Sequence, residues 1–265
     1  MKFPSFCTSL GALVSTATLL GCSSGVVPVH AAGPTGVANI LLVHGAWSDG
    51  SSWSKVIPLL QADGYNVVAV QLPLTSLADD AAVVQRALAI QTGHVLLVGH
   101  SYGGAVITQA GSDPKVEGLV YVAAYGPDQG ESVLSLGATV PATPIMNDFT
   151  KDATGFLKLT TAGIASDFAQ DLTPAEQAGL AVTQGPTNAP NALAGVITAT
   201  PAWKTLPSWY VIANNDRVIG PTLEKTMATR MKATVLSVDS SHVAMLAQPA
   251  AVTSFIEKAA ATLAP

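Results

Sequence analysis

Cysteine is nearly absent from this chain: there are two, Cys7 and Cys22, and both precede residue 33. The remainder therefore holds no disulfide framework, no thiol nucleophile and no thiolate metal site. Charge is sparse as well. Only 11% of residues are charged against 49% apolar, a balance that excludes a disordered, solvated chain. Twelve basic residues face 17 acidic ones, for a net charge of −5. With no basic stripe, nucleic acid is not an expected partner. Internal repeats, low-complexity runs and charge blocks are missing too. What is left suits one domain of ordinary size with a large core.

The first 32 residues read as an export leader, which predicts a periplasmic or secreted protein. Lys2 is the only charge before residue 49, and the apolar stretch at about 10–20 is too short to cross a bilayer. Two cleavage sites compete. Leu19-Leu20-Gly21-Cys22 resembles a bacterial lipobox, which would lipidate Cys22 and attach the protein to a membrane, although Leu20 stands where a small residue is usual. The other is a small-residue signal-peptidase site at Val29-His30-Ala31.

Past the hinge Gly33-Pro34-Thr35-Gly36, apolar runs alternate with helical patterns. Residues 37–43, 65–70, 94–98, 118–123, 208–213 and 233–238 read as strands. Residues 51–61, 77–90, 102–110 and 222–232 read as helices, with a last helix from Pro249. This alternation predicts an α/β fold: a doubly wound, mostly parallel sheet of six strands. The core is assigned to 37–125 and 207–265. Residues 126–206 lack an apolar strand run and are expected to form a helical cap inserted over the sheet. Within them Thr173-Pro174-Ala175-Glu176 has the form of a helix start.

Gly99-His100-Ser101-Tyr102-Gly103 matches G-x-S-x-G, the tight strand-to-helix turn that presents a nucleophilic serine. Gly21-Cys22-Ser23-Ser24-Gly25 matches as well, but in the leader. Only Ser101 lies between an apolar strand and a helix. A serine hydroxyl needs a base within hydrogen-bond reach. Of five histidines, His30 is in the leader, His94 opens a strand, His100 points away from its neighbour, and His44 closes the first strand as a brace. His242, after the sixth strand, remains. Asp216, after the fifth strand, is assigned to orient the imidazole. Asp128 after the fourth strand is the alternative, and Asp239 is too close to His242 on one turn. The oxyanion hole is assigned to the backbone N–H groups of Ala46 and Tyr102. A substrate wall of Trp47, Phe149, Phe156, Trp203 and Val243 is expected, with Met146, Leu157 and Met245 as further candidates, although core packing is the simpler reading of each.

Together, Leu42-Val43-His44-Gly45-Ala46-Trp47, Gly99-His100-Ser101-Tyr102-Gly103-Gly104, Asp216 with Pro221 and Met227-Ala228, and Ser241-His242-Val243-Ala244-Met245-Leu246 resemble one family. From Val37 onward the chain looks like the small α/β-hydrolases that include plant methylesterases, plant hydroxynitrile lyases and bacterial esterases. The resemblance implies hydrolysis of a small-molecule ester through an acyl-enzyme, with no cofactor and no metal. The cap matches least. Alternatives on the same residues are a hydroxynitrile lyase, a lactone or C–C bond hydrolase, and a receptor without catalysis. The resembling lyases carry threonine and lysine where this chain has Gly45 and Val243.

Overall fold

The computed structural model describes residues 33–264, so the leader, with the readings made at Cys22 and Ala31, lies outside the described residues. The core is a parallel sheet built from β1 (Asn39–Val43), β2 (Asn66–Ala69), β3 (Val95–Ser101), β4 (Val116–Ala124), β7 (Ser208–Ala213) and β8 (Thr234–Val238), in spatial order β2-β1-β3-β4-β7-β8. Every residue of β1, β3 and β7 is buried, as continuous apolar runs require when helices cover both faces. The chain leaves β1 to one side for β2 and returns to its other side for β3. That reversal opens a crevice at the carboxyl ends of β1 and β3, where ligands bind in such sheets. The loop after β1 and the turn after β3 meet there.

The flanking helices are α1 (Ile57–Ala62), α2 (Leu77–Ala89), α3 (Tyr102–Ala110), α7 (Pro221–Arg230) and α9 (Pro249–Thr262), with α8 (Ala244–Ala247) just past His242. The single helix expected over 51–61 is divided into a 3-10 turn, Gly50–Trp53, and α1. Pro58 in the first turn of α1 cannot accept the preceding helical geometry, since its ring clashes with the carbonyl four residues back.

The insertion after β4 is less helical than expected. It carries α4 (Val133–Gly137), α5 (Thr161–Gly163) and α6 (Pro174–Thr183), and also an antiparallel hairpin of β5 (Phe149–Lys151) and β6 (Leu157–Leu159). Strands of three residues leave no readable apolar alternation, which is why the hairpin escapes sequence reading. The α6 start behaves as its residues predict. Thr173 caps the Glu176 N–H, and Glu176 Oε2 accepts the Thr173 N–H at 2.8 Å.

Candidate active site

β3 runs straight into α3, and Ser101 at the junction has φ 53° and ψ −124°. A non-glycine residue held there stores about 1–3 kcal/mol of strain. Packing over-determines the turn. A Cβ on Gly103 would lie 2.5 Å from the Val43 carbonyl oxygen, so only glycine lets α3 approach β1 this closely. The Tyr125 N–H donates to the Ser101 carbonyl at 3.0 Å from the β4 side. The serine thus sits at the α3 N-terminus, where developing negative charge is favoured.

His242 lies in the turn between β8 and α8 and is wholly buried. Its Nδ1 is 2.7 Å from Asp216 Oδ2, and neither side chain is exposed. Asp216 Oδ1 accepts the Val218 N–H at 2.6 Å and the Ile219 N–H at 3.0 Å. Burial alone would raise the Asp216 carboxyl. The facing imidazole and these donors outweigh it and hold the carboxyl well below its usual range. With both carboxylate oxygens acting as acceptors, Nδ1 carries the ring proton and Nε2 is left with its lone pair. Among the described residues that Nε2 has no hydrogen-bond partner. No hydrogen bond joins it to Ser101, a contact commonly long in unliganded sites.

Asp128 and Asp239 are elsewhere. Asp128 forms a half-exposed ion pair with Lys204 at 2.5 Å, and Asp239 accepts from Asn214 Nδ2 at 2.8 Å. His44 is a brace: its Nε2 accepts the Leu72 N–H at 2.9 Å while Nδ1 meets the Gly45 carbonyl at 2.8 Å. Burial lowers its pKa, keeping it neutral in that role.

Several supports were invisible to sequence reading. His100 points away from the serine, yet its Nε2 is 3.0 Å from the His242 carbonyl and its ring packs 4.7 Å from the His242 ring. Burial drives its pKa well below the usual value, so it is a neutral donor to that carbonyl. From the insertion, Asp171 accepts the Ser241 N–H at 2.7 Å and the Phe168 ring lies 5.2 Å from the imidazole. Gln170 Nε2 donates to the Asn215 carbonyl at 2.8 Å, so the insertion latches both the acid loop and the base loop. No local pattern could disclose these pairs, because each joins segments tens of residues apart.

Ser101 opens on a cavity of about 370 Å³, lined also by Ala46, Tyr102, Trp47 and Tyr125 from the core. Ile145, Met146, Phe149 and Leu157 line it from the insertion, and no lining residue is charged. Ala46 and Tyr102 line the same cavity as Ser101. The Trp47 N–H is taken by Thr187 Oγ1 at 3.1 Å, whereas the Ala46 N–H has no acceptor among the described residues.

Three expected wall residues do not line the cavity. Phe156 precedes Leu157 at the start of β6, and neighbouring residues of a strand face opposite sides. Trp203 lies elsewhere, its Nε1 donating to the Pro127 carbonyl at 3.1 Å and its ring flanked by Lys204 and Arg230. Val243 is buried in the core beside α8. Met245 is likewise a core residue and not a wall residue. A separate polar crevice of about 400 Å³ borders the outer side of the acid loop at Asp171, Asn215 and Asp239. It does not reach the serine.

Among curated proteins, a pyrethroid hydrolase of Sphingobium wenxiniae is 26% identical over 249 residues, covering 80% of this chain and 84% of its own. A carbendazim hydrolyzing esterase of Nocardioides sp. is 32% identical over 116 residues, which cover 38% of this chain and 47% of that enzyme. The chain thus spans about half the length of that esterase. Among solved structures, polyneuridine aldehyde esterase superposes with a TM-score of 0.73 at 19% identity, over 84% of this chain and 99% of that one. A pyrethroid hydrolase from Sphingobium faniae JZ-2 gives 0.72 at 23% identity, over 84% and 97%. Both share the fold. The family model described as the alpha/beta hydrolase family matches residues 40–255. On that match, with the sheet order, the serine turn and the acid–imidazole pair in place, the chain belongs to the α/β-hydrolase family.

Proposed function

We propose that this hydrolase is a serine carboxylesterase acting on small, uncharged, largely apolar esters through an acyl-enzyme. The observation that carries the reading is the buried imidazole. His242 has its Nδ1 committed to a buried carboxylate at 2.7 Å and its Nε2 unpartnered, and its ring packs 4.7 Å from that of His100, the residue before Ser101. A buried lone pair without a donor is costly unless a substrate or hydroxyl proton is to use it.

In this mechanism Ser101 Oγ attacks the ester carbonyl carbon and its proton passes to His242 Nε2. Asp216 stabilises the resulting imidazolium. The tetrahedral oxyanion is held by the Ala46 and Tyr102 N–H groups at the α3 terminus. Collapse breaks the ester C–O bond, and His242 returns the proton to the departing alcohol. Water then repeats the sequence on the acyl-enzyme, releasing the acid and restoring Ser101.

The uncharged cavity wall supports a neutral substrate, since a buried ion without a partner would be strongly disfavoured there. Two relatives are named for hydrolysing pyrethroid and carbendazim, which agrees with an uncharged substrate. Export, with attachment to the bacterial envelope through a lipidated Cys22, belongs to the same proposal and rests on the leader pattern.

Ser101→Ala should abolish hydrolysis of p-nitrophenyl esters without loss of fold, and a fluorophosphonate probe should label Ser101 in the wild type. Labelling at another serine overturns the assignment.

A further inference from the structure

Glu224, in the first turn of α7, is a second carboxyl group directly behind the acid. It is fully buried, although charged side chains are seldom so without a partner. Its Oε2 accepts the Ala213 N–H at 2.9 Å, from the end of β7. Its Oε1 is buried and no donor reaches it among the described residues. Its neighbour is the Asp216 side chain, and the two acids lie within hydrogen-bonding contact of each other. Two acceptors cannot satisfy one another. One must carry a proton, and the three donors on Asp216, Val218 N–H, Ile219 N–H and the imidazole, favour its charged form, so the proton falls to Glu224.

We infer that Glu224 is a positioning residue, a neutral carboxylic acid that donates a hydrogen bond to Asp216 and so holds that carboxylate on His242. The inference rests on the esterase reading for its effect on catalysis, but not for its protonation state. The groups that face Glu224 favour its neutral form. Asp216 repels a second negative charge, Tyr125 and Tyr210 are buried phenols, and Lys225, a nearby cation, is on the exposed side of the same helix. Burial first, and then Asp216, push the Glu224 carboxyl well above its ordinary 4.5. In physical terms the site has one negative charge spread over an acid–acid–imidazole chain, and the orphaned Glu224 oxygen gains a partner.

Stability then depends on pH with a defined sign. The unfolded chain loses the Glu224 proton near 4.5 while the native one keeps it. The native state is therefore progressively disfavoured as pH rises above that value. Glutamine keeps the geometry, with its carbonyl toward Ala213 and its amide donating to Asp216, and cannot ionise.

The test compares wild type, Glu224→Gln and Glu224→Leu in the full folded protein. In thermal unfolding from pH 5 to 8, the midpoint of Glu224→Gln should rise relative to wild type as pH increases. A difference that stays flat with pH overturns the inference, since Glu224 would then ionise alike in both states. In p-nitrophenyl acetate kinetics, Glu224→Gln should keep kcat/KM within about threefold, while Glu224→Leu should lose kcat by about tenfold to a hundredfold at unchanged KM. Full kcat in Glu224→Leu refutes the positioning role. Should the leucine variant fail to fold, the glutamine midpoints still decide. Activity surviving in Ser101→Ala would sink the triad instead, leaving the unfolding result intact.

Discussion

Replacing Asp216 by Asn separates the acid–imidazole chemistry from the packing around it. The carboxylate accepts from Val218 N–H at 2.6 Å, Ile219 N–H at 3.0 Å and His242 Nδ1 at 2.7 Å. An amide offers one oxygen and one NH2. Turned with NH2 toward the two backbone donors, it sets donor against donor twice at under about 3 Å, so that orientation is the worse one. The NH2 group therefore faces the imidazole, which must present a bare Nδ1 and carry its proton on Nε2. In that tautomer His242 cannot accept the Ser101 proton. Loss of the base tautomer costs about 10⁴ in kcat, or about 5.4 kcal/mol of transition-state stabilisation. Global stability should change by only about 1–2 kcal/mol, since a buried charge and a charged hydrogen bond are removed together. Steady-state hydrolysis of p-nitrophenyl acetate, with circular dichroism as the check on folding, measures both. Asp128→Asn is the control. Its surface pair with Lys204 should matter by less than about tenfold. A folded Asp216→Asn enzyme within tenfold of wild type, or a larger loss in Asp128→Asn, refutes the reasoning.

Asp80 is a second buried carboxyl, accepting Tyr102 O–H at 2.6 Å and Leu74 N–H at 2.8 Å, and burial raises its pKa from 3.8 to about 6. The unfolded group ionises first as pH rises, so wild type should lose about 2.4 kcal/mol between pH 4 and 7, a loss that Asp80→Asn avoids in urea unfolding. Parallel stability curves for the two proteins would contradict this. For the lyase alternative, wild type should release no cyanide from mandelonitrile above background. A Cβ on Gly45 lies 2.7 Å from Ser101 Cβ, so Gly45→Thr should also cost more than about tenfold in esterase activity. Strong cyanide release by the unmodified enzyme would reverse that assignment. In the precursor, Cys22→Ser should abolish palmitate labelling and membrane fractionation, whereas a mature wild-type N-terminus at Ala32 would decide for plain secretion.

Much of the architecture was legible before any coordinates. Parallel strands buried on both faces need unbroken apolar runs, and the six runs in this chain became the six strands, within a few residues at each end. Ser101 was readable because its turn is local: a strand, two glycines and a helix adjoin in sequence. His242 followed from elimination among five histidines, and Asp216 from its place after the fifth strand.

Other features depend on which way a side chain points after packing, and residue type does not encode that. Phe156 and Leu157 are adjacent aromatic and aliphatic residues, yet only Leu157 lines the cavity. Trp203 is a candidate wall residue by type, with core packing the simpler reading, and it has Lys204 and Arg230 against its ring and does not line the cavity. His100 was set aside and proves to hold the His242 carbonyl. Glu224 reads in sequence as an ordinary acidic residue in a helix first turn. Only the docking of α7 against β7 buries it beside Asp216, where the low dielectric and a neighbouring negative charge change its ionisation. Local pattern determined the six core strands and the tight turn at Ser101; long-range packing decided what surrounds them, because burial and partner charge are properties of the assembled fold.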